Sequence, residues 1–392
     1  MRKHLEALRE EAKSVFQGAY PPFVMGRDRL DHIPVFSFHS VDPSGFEAQL
    51  RHLSRNGYRT LKAGEVVNCI QSNRELDRKS VALTFDDGRR SVWAVAYPLL
   101  KKYRFTATVF LIPGIVGESR HAGPCWSGRG GSFSEEWRRC DMSLQPVLNW
   151  EEIRIMHEQG VIDFQAHTLT HQRIPVSQRI VDFVHPGLIQ SHLFQFTIPY
   201  MKGIDPLKDA EAILGAPVYE NAPAMGGRPM YSENEEVRRR CVETVRLEGH
   251  AFFNRPDWRR LLRKRAAEAA SSAQSDSVFE NPESRMKRMI RQLRQCREII
   301  EERIPDHRVI HLAYPWGAGS ETSIQASAAA GFISNFWATR PYHAVNRTGD
   351  DPFRLVRLKH DFILRLPGEG RRSFPALWAG KLIRRVTGNI DY

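Results

Sequence analysis

Short apolar runs alternate with helical stretches through the first half of the chain. Val81–Phe85 has the continuous apolar pattern of a buried strand, Ser91–Tyr103 reads as a helix, and Thr106–Ile112 is a second strand-like run. Val161–Ala166 is a further strand-like run. Strands alternating with helices in this order predict an α/β fold built on a parallel sheet with helical crossovers. In such folds the chemistry gathers at the C-terminal ends of the strands.

The pattern changes after His171. Pro223–Met230 predicts a loop, Glu235–Arg246 and Asp257–Ala270 predict helices, and Ser271–Ser284 predicts a polar connector. Arg285–Ile304 predicts a basic helix in which Met286, Met289, Ile290, Leu293, Cys296 and Ile300 repeat at helical spacing. That spacing marks a stripe packed on a core, with a partner interface as the alternative. Another irregular stretch, His121–Trp150, carries Trp126, Trp137 and several glycines near a strand end. It reads either as a wall of a substrate groove or as a surface loop with buried aromatic anchors. At 392 residues the chain is long for one domain, so an insertion or second lobe is expected.

Composition narrows the class without naming a chemistry. With 41% apolar and 26% charged residues the chain has the makeup of a globular protein able to bury a large core. The five cysteines, Cys69, Cys125, Cys140, Cys241 and Cys296, show no Cys-x-x-Cys pair. Free thiols are expected, with Cys125 and Cys140 able to bridge in an oxidising compartment. The charged start Met1–Glu11 lacks the apolar core of a signal peptide, and no apolar stretch reaches membrane-spanning length. A cytoplasmic location is the expectation. A net charge of +12 suits an anionic partner. No aromatic-interleaved basic motif supports nucleic acid. The tail Phe374–Val386 mixes apolar, Trp and basic residues, which fits peripheral contact with an anionic membrane or a terminal helix docked on the fold.

The sharpest chemical signal is Asp86–Asp87, two adjacent carboxylates in Thr84-Phe85-Asp86-Asp87-Gly88 at the end of an apolar strand. Neighbouring strand residues point to opposite sides, so a twist is needed before both can address one site, and Gly88 allows it. His167 and His171 close the later run, and an i, i+4 spacing places two imidazoles on one face of a helical turn. Each pair alone also fits a turn or a cap. Together they offer one carboxylate and two imidazoles to a divalent metal, leaving the second carboxylate as a base for a water molecule. Zinc, cobalt, nickel and manganese all suit that donor set, with zinc the first choice.

These residues resemble the polysaccharide deacetylases with the NodB-homology domain. Around the two motifs, Ile33–His39 is similar to the first strand of that family, and Phe46–Leu61 to its first helix and turn. Pro98–Tyr103 with Ala107–Leu111 continues the match, and Ala313-Tyr314-Pro315-Trp316-Gly317 resembles the third motif. Asp351–Arg357 resembles the closing segment of the poly-N-acetylglucosamine deacetylase branch. The similarity covers roughly residues 30 to 175 and 300 to 362. It implies a deformed (β/α) barrel of the NodB type, to which the length of the middle segment adds a large helical insertion. It also implies Asp87, His167 and His171 as metal ligands, Asp86 as catalytic base, the backbone N–H of Trp316 as oxyanion donor beside Tyr314, and His360 as general acid.

Where relatives carry an arginine in the third motif, this chain has Ala313, so Asp86 needs another partner, for which Arg357 is the candidate. His39 reaches for the same site as a substrate-binding residue, or else is a core histidine. The expected organisation is an N-terminal helical extension at 1–30, barrel segments at 31–175 and 306–365, an insertion of helix and loop at 176–305, and a basic tail at 366–392. The expected function is metal-dependent removal of N-acetyl groups from amino sugars of a glycan or a lipid-linked precursor. The alternatives are deformylation or deacylation of another amide, and a non-catalytic glycan-binding relative.

Overall fold

The computed structural model describes residues 20–28, 30–72, 79–125, 147–190, 199–205, 209–272, 279–339 and 343–377. Trp126, Trp137, Cys140, most of the N-terminal extension, much of the polar connector and the tail beyond Leu377 lie outside the described residues. Ten strands are present among them: β1 (Val35–Phe38), β2 (Arg59–Leu61), β3 (Ser80–Asp87), β4 (Ala107–Leu111), β5 (Ile162–Ala166), β6 (Arg173–Phe183), β7 (Pro217–Pro223), β8 (His311–Ala313), β9 (Ser334–Ala338) and β10 (Leu355–Lys359). The chain divides into two compact units. One comprises Met1–Thr170, Gln292–Gly317 and Ser327–Tyr392; the other comprises His171–Arg291 and Ala318–Ala326.

The first unit is an α/β barrel. Seven parallel strands close in the order β1, β10, β9, β8, β5, β4, β3 and back to β1. β2 is an eighth strand that pairs with the start of β3, Leu61 opposite Ala82. The closure is possible because β3 is long. Its first residues pair with β2, and further along Ala82–Phe85 pair with Val35–Phe38 of β1. All eight β3 residues are buried, which is why that segment reads as an unbroken apolar run until the aspartates.

Local sequence signals set the crossovers. The helix Pro43–Arg55 starts with proline in its first turn and with Asp42 accepting the Gly45 N–H at 2.8 Å. It ends at Asn56, followed by Gly57 at φ 68°. Phe46, Leu50 and Leu53, spaced i, i+4, i+7, are its buried apolar stripe. Phe46 meets Phe85 and Phe38 edge-on, and those two rings stack on each other at 4.9 Å. Burying each such side chain contributes about 1.5–3 kcal/mol.

The second unit has its own core, including Phe183, Ala216, Cys241, Val245, Phe252 and Leu262. Its helices Glu235–Arg246 and Trp258–Ser272 match the expected segments closely. Its antiparallel pair β6–β7 was not expected, since the sequence suggested only helix and loop there. Pro175 inside β6 and the irregular register after it hide the strand from a period-two reading. The helix Pro282–Arg303 buries Met289, Leu293, Cys296 and Ile300, while Met286 and Ile290 are half-buried. The stripe is therefore core. Among the described residues no helix is long and apolar enough to cross a membrane.

Candidate metal centre and active site

Alternation along β3 sends Thr84 and Asp86 to one side and Phe85, in its aromatic cluster, to the other. Asp87 would follow Phe85 outward in a regular strand. Instead its backbone turns left-handed, φ 71°, and Gly88 follows at φ 72°. A side chain at Gly88 would meet Leu111 Cδ1 at 2.5 Å, so both conformation and space require glycine there.

His167 leaves β5 with its N–H bonded to the Leu111 carbonyl at 2.8 Å. Its ring Nδ1 lies 2.9 Å from the Ala313 carbonyl, which can only accept, so the proton sits on Nδ1 and Nε2 carries the free lone pair. Nε2 is 3.6 Å from Asp87 Oδ1 and 3.9 Å from Asp86 Oδ2. The loop to His171 is not the expected helical turn. Thr168 at φ 65° and His171 at φ 54° are left-handed, and these two reversals bring the second imidazole round within a four-residue tether. Of six non-glycine residues with positive φ among those described, four are Asp87, Thr168, His171 and Trp316. Unfavourable backbone conformations are thus concentrated at these strand ends, as expected of a site that dictates side-chain direction.

Asp87, His167 and His171 are all buried, and one donor atom from each lies within 4.8 Å of the others. Donors about 2.0 to 2.1 Å from a tetrahedral zinc ion lie roughly 3.3 Å apart, so the 3.6 Å between Asp87 Oδ1 and His167 Nε2 fits such an ion with little movement. Burial lowers the His167 pKa, outweighing the raising effect of Asp86 and Asp87, and so favours the neutral, metal-binding imidazole. The donor set fits a divalent metal.

Asp86 is held by a fork from β10. Arg357 Nη1 and Nη2 donate to its two carboxylate oxygens at 2.6 and 2.8 Å, and Nη1 also reaches Thr84 Oγ1 at 3.3 Å. Both side chains are buried, and the guanidinium lies 5.2 Å over the Phe110 ring. Burial pushes the Asp86 carboxyl upward, but the charge and hydrogen bonds of Arg357, with His167 and His39, hold it well below the usual carboxylate range. His39 Nε2 stands 3.9 Å from Asp86 Oδ2, and its side chain is 37% exposed. The described site therefore has a histidine open to solvent beside the carboxylate.

Two candidates are not brought to this group. His360 stacks on Phe38 at 4.6 Å and accepts from Gln49 Nε2 at its Nδ1, 3.1 Å, on the outward aromatic face opposite Asp86. Tyr314 is fully buried, its ring edge-on to Trp337 and its hydroxyl accepting from Asn335 at 2.7 Å, so it is a core residue. Trp316 is placed differently: it sits at φ 61° in the turn after β8 and is 40% exposed. Gly317 after it could carry no side chain, because a Cβ would lie 2.5 Å from Ala338 Cβ. One residue at the site escaped the sequence reading. Arg89 pairs with Asp87 Oδ2, and its only sequence signal is a basic residue just beyond the Asp–Gly turn.

A closed parallel barrel with carboxylate and imidazole donors at its strand ends has the architecture of the NodB-type deacetylases. Residues 73–182 match the polysaccharide deacetylase family. Over that segment the chain is similar to that family. It is 34% identical over 147 residues to YxkH, a Bacillus subtilis protein named as a polysaccharide deacetylase, covering 36% of this chain and 43% of that one. It is 29% identical over 130 residues to a poly-beta-1,6-N-acetyl-D-glucosamine N-deacetylase of Staphylococcus aureus, covering 33% of this chain and 37% of that one. The chain thus spans less than half the length of either relative. In structure it is similar to a de-N-acetylase from Aggregatibacter actinomycetemcomitans, with a TM-score of 0.51 at 15% identity over 84% of this chain and 96% of the other, a likeness of fold.

Proposed function

We propose that this protein is a metal-dependent hydrolase that removes N-acetyl groups from the amino sugars of a glycan. The observation that carries the reading is the convergence of Asp87, His167 and His171 donor atoms within 4.8 Å, beside an Asp86 carboxylate kept ionised by Arg357. A divalent ion held there supplies a polarised water and a Lewis acid for the amide carbonyl. Asp86 accepts the proton of the attacking water, and its Arg357 fork holds both carboxylate oxygens in place. We assign the carbonyl oxygen to the Trp316 backbone N–H and a face of the substrate to its exposed ring. The name of the Staphylococcus aureus relative supports N-acetylglucosamine glycans as the first substrates to test.

The departing amine needs a proton, and we give that role to His39 rather than His360. His39 stands beside Asp86 and reaches solvent, whereas His360 lies on the other side of the strands. His39→Ala is expected to lower kcat by about 10²-fold or more, the scale of a lost general acid. His360→Ala should leave kcat within a small factor and lower the melting temperature, because it empties a ring-packed position against Phe38. Steady-state kinetics and thermal melts of the two variants check this. A larger kcat loss in His360→Ala would reverse the assignment.

The direct test is acetate release from N-acetylglucosamine oligomers, measured on protein as purified, after chelation, and after adding zinc. Activity should disappear with the chelator and return with the metal. Acetate release that a chelator leaves untouched would overturn the metal-dependent reading. Release of formate or longer acids from otherwise identical sugars, with none of acetate, would replace the acyl group but keep the site.

A further inference from the structure

The guanidinium of Arg89 approaches Asp87 from the side away from His167. Its Nε and Nη2 both lie 3.1 Å from Asp87 Oδ2, while Oδ1 faces His167 Nε2 at 3.6 Å. The contact is buried, with side-chain exposures of 11% and 4%. Two consecutive left-handed residues, Asp87 and Gly88, turn the chain so that a side chain two positions on folds back over the aspartate. The backbone on either side is pinned. The Gly88 carbonyl accepts the Leu148 N–H at 2.8 Å, Arg89 bridges to Val147, and the next residue, Arg90, is buried against Glu152 at 3.2 Å.

We infer that Arg89 is a positioning residue that confines Asp87 to single-oxygen ligation and keeps the affinity of the site for divalent metal low. The inference rests on the metal-site reading above. Oδ2 receives two N–H groups of a fixed cation, while Oδ1 faces the His167 imidazole. The charges lead to the same conclusion. Asp86 and Asp87 bring two negative charges, and Arg357 and Arg89 bring two positive ones, so these four side chains, among the described residues, sum to zero. Without Arg89 the same donors would present a net negative charge to a dication, and at these separations one unit charge alters binding by tenfold or more. Arg89 therefore favours a metal that exchanges with its surroundings over one locked in the fold.

The test uses full-length protein stripped of metal, with zinc affinity read by competition against a chromophoric chelator and ligation by the visible spectrum of the cobalt-substituted form. Arg89→Gln, which removes the charge, should bind zinc about tenfold more tightly or better and change the cobalt spectrum as Oδ2 becomes available. Arg89→Lys keeps the charge without the fork, and its zinc affinity should stay close to that of the unaltered protein. Zinc affinity unchanged in Arg89→Gln overturns the inference, and weakening in both variants gives Arg89 a merely structural role and overturns it too. Unaltered protein that takes up no zinc overturns the metal-site reading itself, a separate result from zinc uptake that Arg89→Gln leaves as it was.

Discussion

Asp86→Asn is expected to reduce turnover by about 10²- to 10⁴-fold while the protein still binds one divalent ion. The amide is close in size to the carboxylate but cannot take a proton from water at neutral pH. The three donor residues are untouched, since Asp86 stands outside the Asp87, His167 and His171 group. His167→Ala makes the contrast, because it deletes a donor and the Nδ1 contact to Ala313 together. It should lose metal and turnover alike. Metal content by elemental analysis, alongside kcat, separates the two variants. Equal metal loss in both would exchange the roles of the two aspartates.

Arg357→Met is expected to destabilise the fold by about 3–5 kcal/mol, the scale of removing one partner from a buried, hydrogen-bonded ion pair. Methionine fills much of the volume, so the main cost is an Asp86 carboxylate left without its two charged donors. Denaturant midpoints measure it, and Asp86→Asn combined with Arg357→Met should recover part of the loss, because the stranded charge is then gone. The pH dependence has a definite sign. An aspartate whose folded pKa is depressed stabilises the fold above its unfolded value near 3.8, and that contribution fades as the pH falls below it. In Arg357→Met burial acts with far less opposition and the carboxyl moves upward. Its share of stability should then fall as the pH rises toward neutrality. Equal acid-side profiles for the two proteins would show that Arg357 does not govern Asp86.

Much of the barrel can be read from local pattern. Val81–Phe85, Thr106–Ile112 and Val161–Ala166 appear as β3, β4 and β5 within a residue or two, because strands buried on both faces must be apolar throughout. The aspartate and histidine pairs stood out because carboxylates and imidazoles at the ends of such runs are costly unless used. The misreadings have equally local causes. An i, i+4 histidine spacing suggested a helical turn, yet the chain reaches a similar approach through left-handed Thr168 and His171, a solution no propensity scale favours. Tyr314 precedes Trp316 by two residues, but the chain turns left-handed at Trp316 after β8, and the Tyr314 hydroxyl meets Asn335 in the core. His360 shares a strand end with Lys359 and falls on the aromatic side of the sheet. Arg89 gave no periodic signal because its position depends on two turn residues in succession.

By itself the sequence determined where the barrel strands β3, β4 and β5 begin and stop, which of their ends carry acids and imidazoles, and that the middle of the chain forms helices of its own. Those properties depend on neighbours a few positions apart, where hydrophobic period and turn chemistry act directly. Only the tertiary structure decided which charges meet. Asp86 and Arg357 are 271 positions apart and become partners because β1 lies between β3 and β10 in the closed barrel. His39 rather than His360 approaches Asp86 because alternation turns the two rings to opposite faces. Contacts of that range follow from closure and strand orientation, and both are properties of the assembled sheet.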